Sequence, residues 1–341
     1  MYLHTTLCTT AYQKVIRAFR AEERYAMGDR QTFNDKRAVT IVAYHYVRPL
    51  RKSRFPEIKG CDLETFAEQI ESIAQSHQLI SIDEVVESLD EGAVLPERAV
   101  LLTFDDGFRD HYDYVLPILH ERGIRGCFYP PAAAVEDNVL LDVHKAHFLL
   151  ASGVEVGLIC DDIDSYVTER SLGDPAQFKT AFRWPSPRDS AEVIYVKRML
   201  QRGLPTEHRR DLASQLFSRY VSSDETAFAE ELYCTPSQLS LMSSLGHHIG
   251  SHGHGHHWLS TLDDDAQRND LSRSIEFLGR ITAPGTPRTM CYPYGDHDEN
   301  ARANARILGF ALALADHHGV ADLGSDDRWA LPRVSTSDLQ L

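Results

Sequence analysis

Two stretches of the chain carry residue types that do chemistry. In "VLLTFDDG" an apolar run ends in two adjacent carboxylates, Asp105 and Asp106, followed by Gly107. Side-by-side acids repel, and a cation or a shared proton relieves them. In "HHIGSHGHGHH", residues 247–257, stand six of the chain's 17 histidines. His252 and His256 are four apart, but Gly253 and Gly255 lie beside them and disfavour a regular helix, so a loop is expected. Two imidazoles from one loop and one carboxylate from a strand end make a facial metal site that leaves positions open for water and substrate. Each stretch alone has a plainer reading, a solvated Asp-Asp-Gly turn or a His-rich surface loop. His247 and His248 precede an apolar-Gly step and are expected in solvent. His254 and His257 either orient the ligands or are polar loop positions.

The elements that would position these residues alternate. "VTIVAY" from Val39 is a β-rich run. "DLETFAEQIESIAQS" places Leu63, Phe66, Ile70 and Ile73 at helical spacing with Asp62 as N-cap. Ser81 and Glu84 match a capping box before a second helix. "RAVLLTF" reads as a strand buried on both faces, "HYDYVLPILHERG" as a helix closed by Gly123, and "IRGCFY" as the next strand. Strand–helix alternation points to a parallel sheet or barrel, and in such folds functional groups collect at the carboxyl ends of the strands. From about 137 to 235 the pattern turns helical and charged, which reads as an inserted helical subdomain. Alternation resumes with a helix at Pro236 capped by Thr235, a helix around 263–280, "RTMCYPYG", and the strand "FALALA". An amphipathic helix over 11–27 makes residues 1–37 an N-terminal helical extension, leaving 38–341 as the main body.

Bulk properties narrow the function. At 341 residues the chain is one large α/β domain or two ordinary ones. A hydrophobic fraction of 43% beside 25% charged residues describes a packed globular protein rather than a disordered one. A net charge of −15 argues against a nucleic-acid partner or an anionic-lipid surface. The six cysteines are widely spaced with no C-x-x-C pair, as expected of thiols in a reducing compartment. No signal peptide or apolar run of membrane-spanning length is visible, so a cytoplasmic location is expected.

Taken together, "TFDDG", "HHIGSHGHGH" and "CYPYG" resemble, in order and spacing, the polysaccharide deacetylase family, also called the NodB-homology or carbohydrate esterase 4 family. "VAYHYV", the segment from "LTFDDG" to "GCFY", and "LGFALALADHHG…LPRV" are similar as well, over about 38–135 and 236–335. The resemblance implies an irregular (β/α) barrel, NodB-like, with its site at the carboxyl edge of the strands. It implies Asp105 as catalytic base and Asp106, His252 and His256 as ligands of one divalent ion, zinc first, with cobalt or nickel as alternatives. It implies that Tyr292, Pro293 and Tyr294 line the groove. The expected activity is metal-dependent N-deacetylation of an amino-sugar substrate, with a nucleotide- or lipid-linked precursor of a surface polysaccharide favoured by the expected location.

Three departures stand out. Cys291 occupies the place where many members carry an Arg that supports the base, and Arg288 lies too early to replace it. The Asp-to-Trp motif has no match beyond Trp329, which reads as a packing residue. The C-terminal Leu-to-His motif that supplies a general acid is missing. His317, His318 and His45 are the candidates for that acid, with Asp142, His144 and His147 of the helical segment ranked behind them as a helix face. Competing functions are a hydrolase of a small non-sugar amide, a deformylase, and a catalytically inactive sugar-binding protein.

Overall fold

The computed structural model describes residues 36–186 and 188–336. The helix expected over 11–27 lies outside the described residues. Among the described residues the main sheet has nine strands, the two-residue strands Gln78–Leu79 and Ala321–Asp322 pairing at its side and seven forming its continuous path: β1 (Ala38–Tyr44), β2 (Ala99–Asp105), β3 (Cys127–Tyr129), β4 (His248–Ile249), β5 (Thr289–Cys291), β6 (Leu312–His318) and β7 (Leu331–Ser335). The seven run parallel in the order β4-β3-β2-β1-β7-β6-β5. The sheet curls until its edges meet. Ser251, just past β4, bridges Met290 of β5, its N–H donating to Thr289 O at 2.9 Å while Cys291 N–H donates to Ser251 O at 2.8 Å. The irregular (β/α) barrel expected from the sequence is the observed fold.

Burial explains the apolar runs. Every residue of β2 is buried, because side chains fill the barrel on one face and helices cover the other. Alternate positions divide accordingly. Val42, Tyr44, Leu102 and Phe104 pack with Phe66 and Ile70 of α1 (Leu63–Ser76), whereas Ile41, Leu101 and Tyr129 meet Leu314 and Leu331 inside the barrel. The local signals act where they were read. Asp62 accepts the Glu64 N–H at 3.1 Å to start α1, Ser81 and Glu84 form a capping box on α2 (Ile82–Glu91), and Gly123 (φ 65°) follows α3 (Leu116–Glu121).

Between β3 and β4 the chain is helical, with α4 (Asp142–Leu150), α5 (Val156–Glu169) and α6 (Thr206–Tyr220) among its elements. Leu149, Ile163 and Leu216 belong to an apolar cluster of its own. A second cluster joins it to the barrel, where Tyr46, Phe55 and Phe108 meet Phe148, Phe217 and Tyr233. The segment is thereby packed beside the loop that carries the paired aspartates.

Candidate active site

The functional side chains arrive from three strand ends. Asp105 closes β2 and Asp106 follows it with φ 73°. His252 and His256 lie on the loop after β4, and His256 has φ 52°. Tyr294 follows β5 with φ 59°. Left-handed backbone at three non-glycine residues of one site is strain that the surrounding fold must hold in place.

Asp106 faces the two histidines with one carboxylate oxygen. Its Oδ1 lies 3.6 Å from His252 Nε2 and 3.3 Å from His256 Nε2, with all three residues buried. Bonds of roughly 2.0–2.2 Å in a tetrahedral shell place neighbouring ligand atoms about 3.3–3.6 Å apart, so the spacing fits a divalent ion. The donor chemistry fits too. His252 Nδ1 lies 2.7 Å from Cys291 O, a contact that puts a proton on Nδ1 and leaves Nε2 as a bare lone pair. Burial lowers His252 to about 4, which keeps it neutral at pH 7. Burial alone would raise the Asp106 carboxyl, but His144 and then His256 hold it well below the ordinary carboxylate range.

The loop is shaped by Asp270 on α7 (Asp264–Ile281). Its carboxylate accepts the His254 N–H at 3.0 Å and the Gly255 N–H at 2.8 Å. Gly253 has φ 69°, and a Cβ there would stand 2.7 Å from Asp270 Oδ2, so glycine is required.

Asp105 is held differently. Arg333 of β7 donates from Nη1 to Asp105 Oδ1 at 3.0 Å, and its Nη2 lies 2.8 Å from Oδ2. Cys291 Sγ donates to Oδ2 at 3.4 Å. Burial raises the Asp105 carboxyl, but the Arg333 guanidinium outweighs it and holds the group at about 2. Asp105, His252 and Cys291 are a second cluster of donor atoms. Arg333 already meets both oxygens of the ionised Asp105 there, and burial pushes the Cys291 thiol well up, so that cluster offers a metal neither a free carboxylate nor a thiolate.

A match to the polysaccharide deacetylase family model spans residues 92–168 and 212–313, over half of the chain. The chain belongs to the polysaccharide deacetylase family. It is 25% identical to a peptidoglycan-N-acetylglucosamine deacetylase of Bacillus cereus over 148 residues, 42% of this chain, and spans about half (52%) of that relative's length. Among solved structures it is similar to the Streptococcus pyogenes deacetylase PplD, in complex with acetate, with TM-score 0.55 and 15% identity over 88% of this chain and 92% of that one. It is also similar to a de-N-acetylase from Aggregatibacter actinomycetemcomitans, with TM-score 0.54 and 18% identity over 87% and 94% of the two chains. At these identities the structural likeness concerns the deacetylase fold.

Not every expected residue reaches the site. His45 is beside Asp105, with Nε2 3.8 Å from Oδ2 and its side chain half exposed. His317 and His318 lie at the exposed end of β6 and are not among the residues brought against Asp105 or Asp106. Tyr292 is buried and donates its hydroxyl to Trp329 O at 2.9 Å. Of the expected groove residues, Tyr294 alone lines the cavity beside His256, while Pro293 is buried. Trp329 packs as read, its Nε1 donating to Phe310 O at 3.4 Å. The expectation that His247 and His248 face solvent is corrected. Both are buried, His247 Nδ1 accepting the Gly126 N–H at 3.1 Å and His248 Nε2 lying 2.7 Å from Thr289 Oγ1. β4 carries them into the barrel wall, where the sequence step alone suggested an approach loop.

Two groups exceed the sequence reading. Arg333 carries no motif of its own within "LPRV"; its signal is a lone cation in an otherwise apolar strand, which burial obliges to find a partner. His144 was set behind other candidates, yet its Nε2 lies 3.3 Å from Asp106 Oδ2.

Proposed function

We propose that the protein is a metal-dependent N-deacetylase of an amino-sugar substrate. The observation that carries this reading is the division of labour between the two aspartates. Asp106 shares one buried donor set with His252 and His256, and Asp105 stays ionised beside it, paired with Arg333. Asp106, His252 and His256 would hold the ion, which when bound polarises the amide carbonyl and acidifies a water. Asp105 takes a proton from that water as its oxygen attacks the carbonyl carbon. The C–N bond then breaks, and the amine nitrogen collects a proton from His45, which is half exposed, lies 3.8 Å from Asp105 and recovers its proton from that carboxyl. Acetate and the free amino sugar leave.

The substrate reading is a phosphate-bearing amino sugar, nucleotide- or lipid-linked. Its support is a cavity of about 760 Å³ that runs from His256 and Tyr294 to the roof made by α6. Arg209 and Arg210 of α6 and Arg273 of α7 line it, and none has a carboxylate partner among the described residues. Arg209 instead donates to Leu204 O at 3.2 Å and Thr206 Oγ1 at 3.0 Å. The same cavity is lined by Asp137, Asp142, Glu225 and Lys145, and Lys145 pairs with Asp142 and Glu225, so the three arginines are the cations left to favour an anionic group on the ligand.

The test is metal content and acetate release, measured together. Wild type should hold one ion per chain after refilling with zinc and release acetate from an N-acetylated amino sugar. Asp105→Asn should keep the ion and lose turnover by about 100-fold or more, while His252→Ala should lose both. Full activity in Asp105→Asn would overturn the reading.

A further inference from the structure

The first helix of the inserted segment reaches the paired aspartates. His144 on α4 is fully buried, and its Nε2 approaches Asp106 Oδ2 at 3.3 Å, the oxygen that His252 and His256 leave free. Nε2 makes no hydrogen bond among the described residues, and Asp106 Oδ2 at 3.3 Å is the acceptor it faces. Across the ring, Nδ1 lies 2.5 Å from the Tyr233 hydroxyl, whose oxygen accepts the Leu141 N–H at 3.2 Å. Tyr233 closes the same segment and bridges Phe108, two residues beyond Asp106. A buried hydroxyl hydrogen needs an acceptor, and Nδ1 is the one in reach among the described residues. That arrangement puts the ring proton on Nε2, 3.3 Å from Asp106 Oδ2 and a small ring turn from donating to it.

We propose that Tyr233 and His144 are positioning residues that fix the Asp106 carboxylate, so that the inserted helices complete the metal site. The proposal rests on the reading of Asp106 as a metal ligand. A ligand carboxylate whose outer oxygen is held needs no reorganisation when the ion arrives, and such partners typically contribute about 10–100-fold in metal affinity. The relay runs from Tyr233 through His144 to Asp106, so the segment between β3 and β4 supplies both of its positioning residues.

The experiment measures zinc Kd by competition with a chromogenic chelator for wild type, His144→Leu, His144→Gln and Tyr233→Phe. Circular dichroism and melting of the metal-free proteins report the fold separately. His144→Leu should bind zinc about 10–100-fold more weakly with its metal-free fold retained. His144→Gln, whose amide can donate from a similar place, should recover part of the loss, and Tyr233→Phe should fall between wild type and His144→Leu. Where His144→Leu does not fold, Tyr233→Phe decides, since it deletes one oxygen and keeps the packed ring. Unchanged Kd in the variants beside tight wild-type binding overturns the relay alone. A wild type that binds no zinc overturns the metal reading, and the relay with it.

Discussion

At the scale of single residues, the proposed base Asp105 depends on Arg333. Both are buried, and each is the other's principal counter-charge. Removing one side of such a pair strands the other in a low dielectric at a cost of about 3–5 kcal/mol. Arg333→Leu should destabilise the fold by about that amount at pH 7, read by denaturant unfolding. The pH dependence has a definite sign. Asp105 is held at about 2, below its unfolded value, so the pair stabilises the fold above the unfolded carboxylate range. That stability is lost as pH falls through the window down to about 2. The gap between wild type and Arg333→Leu should therefore be widest near neutrality and narrow below about pH 4. In the variant burial acts on Asp105 unopposed by Arg333, so the acid limb of kcat/KM should move to higher pH; coincident limbs would refute the role.

At the scale of elements, the histidine loop between β4 and α7 sets the spacing of the proposed ligands His252 and His256. It has little secondary structure of its own, and Asp270 holds two of its backbone N–H groups. Asp270→Ala leaves both donors unpaired in a buried place, a cost of about 1–3 kcal/mol for each. The loop should loosen, and zinc affinity should fall together with the melting temperature. A variant that melts lower yet binds zinc as wild type does would limit Asp270 to stability. Element starts and stops were legible in the sequence because their causes are local. Asp62, the Ser81–Glu84 box and Thr235 with Pro236 act within one helical turn. The burial of His247 and His248 was not legible, because their partners Gly126 and Thr289 come from neighbouring strands.

At the scale of the whole molecule, the segment between β3 and β4 gives the barrel a roof and brings arginines to its cavity. Arg209 is half-buried, and burial pushes its pKa down, so an anion beside it would recover lost solvation. Arg209→Ala should raise KM about 10-fold or more for a diphosphate-linked amino sugar and leave KM for the unphosphorylated sugar unchanged. Nucleotide-linked and lipid-linked substrates assayed side by side separate the two sources of the phosphate. An equal change in KM on all substrates would remove the anion reading.

The sequence by itself determined the strand–helix alternation, the acid pair at the end of β2, and the histidine loop with its glycines. These are carried by short runs whose periodicity and spacing repeat the geometry of single elements. Tertiary structure decided which partners complete the site. Arg333 stands 228 positions from Asp105, and His144 is brought to Asp106 by a segment with no counterpart in the motif spacing. His45, rather than His317 or His318, is brought beside the base because β1 and β2 are neighbours in register, Tyr44 opposite Phe104. A buried charge must find its counter-charge in space, and the position of that partner along the chain is fixed only once the sheet has closed.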